Sequence, residues 1–115
     1  MAVTVGALPA EVDVALYAGD DFEMTVKVSN ADGTPVDLTG TTAKSEIRAN
    51  AAATVVLATF TVTAVDSSTF KLVLDGDVTA ALPASAVWDL QVTDAASKVT
   101  TLAGGKVKVT AEVTR

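Results

Sequence analysis

The chain has 115 residues, half of them apolar, and a formal net charge of −6, a length that fits one domain able to bury roughly two-thirds of its unfolded surface in a single core. It holds no cysteine and no histidine, which removes disulfides, thiol chemistry, every usual zinc ligand except carboxylates, and the commonest general base near neutral pH. The basic residues Lys27, Lys44, Arg48, Lys71, Lys98, Lys106 and Lys108, with Arg115 at the end, are spread along the chain, so no basic cluster is available to displace counterions from a nucleic-acid backbone.

Residues 1–10 are small and apolar and end near Pro9. They read as an N-terminal arm, either a frayed terminus or a segment that docks on a neighbouring subunit. The first residues lack the basic start of a secretory signal, and no apolar run approaches the ~18 residues of a membrane span. The expectation is a soluble chain assembled in the cytoplasm, with no membrane partner.

A single β-domain is expected over residues 11–115. Val12, Val14 and Leu16 alternate with Asp13 and Ala15 in a first strand, which Gly19-Asp20-Asp21 breaks. Phe22, Met24, Val26 and Val28 alternate with Glu23, Thr25, Lys27 and Ser29, a period of two that marks a half-buried strand. Asn30-Ala31-Asp32-Gly33-Thr34-Pro35 follows, and Asp-Gly supplies the left-handed conformation of a tight turn. In the next strand Ala43, Ser45 and Ile47 face one way, and Lys44, Glu46 and Arg48 form a charged face expected to be plain solvated surface.

One strand is expected from Val56 to Thr63, with Ala58, Phe60 and Val62 on its apolar side. Phe70, Leu72 and Leu74 continue after a turn at Asp66-Ser67-Ser68, so the two runs should form a hairpin. At most one short helical turn is expected near residues 77–82, capped by Asp77 or Thr79 and stopped by Pro83. Trp88, Leu90 and Val92 then alternate with Val87, Asp89, Gln91 and Thr93. Trp88 is the largest side chain available to a core with few other aromatics (Tyr17, Phe22, Phe60 and Phe70), and it should pack against Phe22, Phe60 or Phe70. Asp89 should face outward, paired across the sheet with Lys106 or Lys108. A last strand from Val99 is interrupted at Gly104-Gly105, as a bulge or bend would interrupt it.

This gives about seven to eight strands at the spacing of a β-sandwich. The expected fold class is all-β, an immunoglobulin-like antiparallel β-sandwich, with a small closed barrel as the alternative. A nucleophile–histidine arrangement is impossible here, and the glycines at 33, 40, 76 and 104–105 open no phosphate-cradling motif. Two carboxylate pairs stand out, Asp20 with Asp21 and Asp75 with Asp77. Both lie at turns, where Asp is favoured for conformational reasons, and a weak calcium site is the functional alternative. No catalytic, cofactor-binding or metal-ligating residue is expected.

Three segments taken together carry a resemblance. They are Asp32-Gly33-Thr34-Pro35-Val36-Asp37-Leu38-Thr39-Gly40, Leu57-Ala58-Thr59-Phe60-Thr61-Val62-Thr63, and Leu82-Pro83 with Val87-Trp88-Asp89-Leu90-Gln91-Val92-Thr93-Asp94. Gly105-Lys106-Val107-Lys108-Val109 and Glu112-Val113-Thr114-Arg115 complete the pattern. Over most of residues 20–115 the chain resembles immunoglobulin-like β-sandwich virion proteins of tailed bacteriophages, of the tail-collar and baseplate-upper-protein type. The resemblance implies a non-enzymatic structural protein of the virion, present in many copies and contacting other phage structural proteins and itself, with no cofactor. Baseplate upper proteins continue into long C-terminal regions, so an end at Arg115 favours a stand-alone collar or decoration subunit over a fibre-bearing baseplate arm; the expected position is tail collar, baseplate or capsid surface. A carbohydrate- or receptor-binding module is the alternative, and it depends on whether Trp88 is exposed.

Overall fold

The computed structural model describes residues 2–5, 10–30 and 32–111, with backbone alone for residues 2–5. Its elements are β1 (Ala2–Val5), β2 (Ala10–Glu11), β3 (Val14–Tyr17), β4 (Phe22–Val28), β5 (Thr42–Arg48), β6 (Ala58–Thr59), β7 (Thr61–Asp66), β8 (Thr69–Leu74), α1 (Gly76–Thr79), β9 (Ser85–Thr93) and β10 (Val99–Thr110). One sheet runs β1-β4-β8-β7; the other runs β2-β10-β9-β5-β6, with β3 also pairing β10. The fold is a β-sandwich, as expected, and two separate sheets replace the closed-barrel alternative.

The period-two patterns face where alternation requires. Met24, Val26 and Val28 of β4, Leu72 and Leu74 of β8, and Leu90 and Val92 of β9 are buried between the sheets. Trp88 is 3% exposed, and its ring meets Phe60 edge-on with centroids 6.0 Å apart. Phe60 in turn lies 6.4 Å from Phe22. Aromatic pairs at this spacing add to what area burial supplies. The β7–β8 hairpin forms around Ser67 and Ser68, with Asp66 Oδ1 accepting the Ser68 amide at 2.9 Å. The Asp-Gly turn forms as well: Gly33 has φ +89, and the Gly33 amide donates to the Asn30 carbonyl at 2.9 Å.

Several expectations are corrected. Ten strands are present among the described residues rather than seven or eight. Part of the difference is at the N-terminus, where the backbone of Ala2–Val5 pairs in parallel with Thr25–Val28 of β4. A Val- and Thr-rich segment there satisfies its backbone groups on a sheet edge; of the rest of the expected arm, Ala10 begins β2, and residues 1 and 6–9 lie outside the described residues, as do Glu112–Arg115. The run from Val56 to Thr63 is not one strand. β6 pairs with Glu46 and Ile47 of β5, whereas β7 pairs with β8 in the opposite sheet. Phe60 makes the crossing, with its amide bound to the Ser45 carbonyl at 3.0 Å and its ring in the core.

Gly104-Gly105 does not interrupt the last strand either. β10 is continuous, and its register shift lies earlier, between Thr101 and Ala103. The glycines serve a close approach instead. The chain between β2 and β3 turns inward at Val12, and a Cβ on Gly105 would collide with the Val12 carbonyl and come within 2.9 Å of Asp13 Oδ1. That carbonyl accepts the Trp88 indole N–H at 2.8 Å.

The helical turn is shorter than expected, Gly76–Thr79, and neither Asp77 nor Thr79 caps it. Asp75 occupies the N-cap position without a side-chain cap bond. Thr79 is fully buried and ties this turn to the β3–β4 turn. Its Oγ1 accepts the Gly19 amide at 3.0 Å and donates to the Asp20 carbonyl at 2.8 Å. Thr79→Val, which keeps the shape and removes the hydroxyl, is expected to cost about 1–3 kcal/mol because it leaves these backbone groups unmatched; chemical denaturation measures it, and an unchanged midpoint would show the two turns hold without that hydroxyl.

Candidate functional site

The register of three strands brings a charged group together on the outer face of the six-stranded sheet. Glu46 of β5 stands directly opposite Asp89 of β9, Lys44 opposite Gln91, and Arg48 opposite Val87. On the other side of β9, Gly104 of β10 stands opposite Asp89 and Lys106 opposite Val87. Gly104 has no side chain to cover Asp89, and a Cβ there would lie 3.4 Å from the Asp89 Cβ and 2.9 Å from the Trp88 carbonyl. The result is an open depression of about 700 Å³ whose charged lining comes from Lys44, Glu46, Arg48, Asp89 and Lys106.

Two expectations change here. The charged face of β5 is not plain solvated surface: the Glu46 side chain is 17% exposed and that of Arg48 32%. Arg48 donates to Glu46 at 3.0 Å and to the Ala53 carbonyl at 2.8 Å, and the Lys44 ammonium lies 3.4 Å from Glu46. Asp89 is on a central strand and half-buried, and its hydrogen-bonding neighbour is Gln91 at 3.4 Å. It is not paired with Lys106 or Lys108, which stand opposite Val87 and Ser85.

The two facing carboxyls respond oppositely. The Arg48 hydrogen bond holds Glu46 below the ordinary carboxylate range, against the effect of burial and with help from Lys44. Burial pushes Asp89 up, the Glu46 charge pushes it further, and Arg48 offsets part of this. A carboxyl whose folded pKa is raised binds its proton more tightly when folded, so its ionisation opposes folding. That penalty is absent below the ordinary carboxylate range and develops as pH rises through the raised value. Asp89→Asn is therefore expected to raise stability at pH 7 by ~0.2–1 kcal/mol, the scale of like charges placed directly opposite in a sheet, and to change nothing at pH 3. Thermal melts at the two pH values measure this, and destabilisation at pH 7 would overturn the assignment.

The carboxylate pairs singled out from the sequence lie elsewhere. Asp21 Oδ1 accepts the Gly76 amide at 2.7 Å and Thr79 bonds the Asp20 carbonyl, so the turns carrying Asp20, Asp21, Asp75 and Asp77 are joined at one end of the sandwich. Among the described residues no three carboxylates converge in a way that would hold a metal ion.

A family model described as an LtfC-like β-sandwich domain matches residues 8–110. The chain belongs to this family. LtfC is a phage tail-associated protein, and the likeness supports a phage-associated β-sandwich. No curated protein sequence matches the chain. Among solved structures, an endo-fucoidan hydrolase of glycoside hydrolase family 107 is similar at a TM-score of 0.56 and 14% identity over 90% of this chain. The LtfC-like domain spans 13% of that enzyme's length, and the likeness is one of fold.

The depression on the LtfC-like domain combines hydrogen-bonding groups with charges of both signs, and its charged side chains come from three adjacent strands of one sheet. It was missed in the sequence because Glu46, Asp89 and Gly104 are far apart along the chain. The one available signal was the pair of outward acids on two amphipathic strands, and nothing local places those strands side by side.

Proposed function

We propose that this LtfC-like domain is a non-enzymatic structural module of a phage particle, mounted in multiple copies on the tail at a collar or baseplate position and acting through protein–protein contacts. The observation that carries this reading is the family match across residues 8–110, which takes in nearly the whole sandwich. The order of short motifs that resembles tail-collar and baseplate proteins supports the finer position. The carbohydrate- or receptor-binding alternative loses its best residue: Trp88 is 3% exposed and its indole N–H is engaged by Val12, so its ring offers no platform to a ligand.

Labelled-antibody electron microscopy on intact particles tests the proposal. Label at the collar or baseplate is the expected result. Label on the head would replace the tail position with capsid decoration, and absence of the chain from purified particles would overturn the structural reading.

A further inference from the structure

The sandwich has one side on which a single stretch of chain forms the edge of both sheets. β6 is the last strand of the six-stranded sheet and β7 the last of the four-stranded sheet, joined through Phe60. From residue 49 to residue 65 the chain carries no Asp, Glu, Lys or Arg, although charged residues make up 19% of the sequence. This stretch also holds much of the exposed apolar surface: Val55 is 68% exposed, Val65 59%, Leu57 39% and Val56 36%. All of β7 is exposed except Val62, which is half-buried. Open edges are normally guarded by charge, proline or a covering element, because their free N–H and C=O groups template another strand. Among the described residues the protective feature is a register irregularity between Ala64 and Asp66 at the far end of β7, and no other described segment covers Thr61–Ala64, which form a regular edge.

We propose that this edge pairs with the same edge of a second copy of the chain, β7 against β7 in antiparallel fashion about a two-fold axis. Such a contact is self-complementary. Charge selects the second copy as occupant: each carries a net −6, and over this uncharged side two copies can meet without placing carboxylate against carboxylate. Thr61 of one copy then stands opposite Thr63 of the other, with Val62 facing Val62 across the axis, and each Asp66 lies outside the paired segment with its carboxylate bound to Ser68 of its own chain. The two four-stranded sheets become one continuous sheet, and Val65 lies at the margin of the contact. The inference rests on the edge itself and not on the phage reading, so a dimer that is absent from virions, or a virion protein that is monomeric, separates the two.

Sedimentation of the full chain from micromolar to millimolar concentration is the test. The expected result is a reversible dimer that strengthens with salt, since screening relieves the repulsion between like-charged copies. Thr63→Lys and Val65→Lys are each expected to weaken association at least about tenfold with unchanged circular dichroism, and hydrogen exchange at Thr61–Ala64 should slow as concentration rises. A chain that stays monomeric throughout, or a dimer indifferent to both substitutions, would overturn the proposal. So would a dimer that dissolves in salt, which would assign the contact to the charged depression instead.

Discussion

Trp88→Ala is expected to cost about 3–5 kcal/mol, the range for removing a buried large aromatic, and that is a large share of the 5–15 kcal/mol that holds a small domain together. Two losses combine. The ring is 3% exposed and packs edge-on against Phe60, so truncation leaves a cavity between the sheets. The indole N–H also satisfies the Val12 carbonyl at 2.8 Å, a partly buried acceptor that would then lose this partner. Trp88→Phe separates these effects: it keeps most of the packing, loses the hydrogen bond, and is expected to cost about 1–3 kcal/mol. Urea unfolding followed by circular dichroism measures both variants. If Trp88→Ala kept wild-type stability, the core would be centred elsewhere.

Gly105→Ala should be nearly as damaging although it adds one methyl group. The new Cβ would meet the Val12 carbonyl oxygen head-on, lie 2.8 Å from the Val12 carbonyl carbon and lie 2.9 Å from Asp13 Oδ1. These neighbours are mostly backbone and have little freedom to move, because the Val12 amide is bound to the Gly104 carbonyl at 2.8 Å and Asp13 Oδ1 accepts the Lys106 amide at 3.1 Å. Displacing Val12 breaks the indole bond as well. Overpacking of about 1–3 kcal/mol and the loss of the partly buried indole hydrogen bond, of similar size, give an expected loss of about 2–5 kcal/mol. Because both variants act on the same contact, the double variant Gly105→Ala with Trp88→Phe should destabilise by less than the sum of the two single changes. Additive losses would mean that Gly105 and the indole act independently.

The strands most legible in the sequence were those whose two faces meet different environments. β4, β8 and β9 each have a core face of Met24, Val26 and Val28, of Phe70, Leu72 and Leu74, or of Trp88, Leu90 and Val92. A period of two is a local property, read within a few residues, and it holds wherever the strand ends up. Turns were legible for the same reason. Asp32 Oδ1 accepts the Thr34 amide two residues on, Asp66 the Ser68 amide and Asp94 the Ala96 amide, so each turn is made by its own side chain.

The misreadings concern what one segment does to another. Val56–Thr63 alternates well enough to pass for one strand, and only the position of β5 and β8 on opposite sides of the core makes the chain change sheets at Phe60. Gly104 and Gly105 read as a bend because glycine weakens strands; that Val12 passes over one of them, more than ninety residues earlier in the chain, has no local signature. The site was hidden in the same way. Glu46 and Asp89 each look like ordinary outward residues of an amphipathic strand, and their conflict exists only because β5 and β9 are neighbours in this register. By itself, then, the sequence determined the all-β class, the inward and outward faces of the main strands and the turns between them, because each depends on a few adjacent residues. The tertiary structure decided which strands are neighbours, where the chain crosses between sheets and which charges meet on the outer face. Those depend on register between distant segments, set by how the whole core packs.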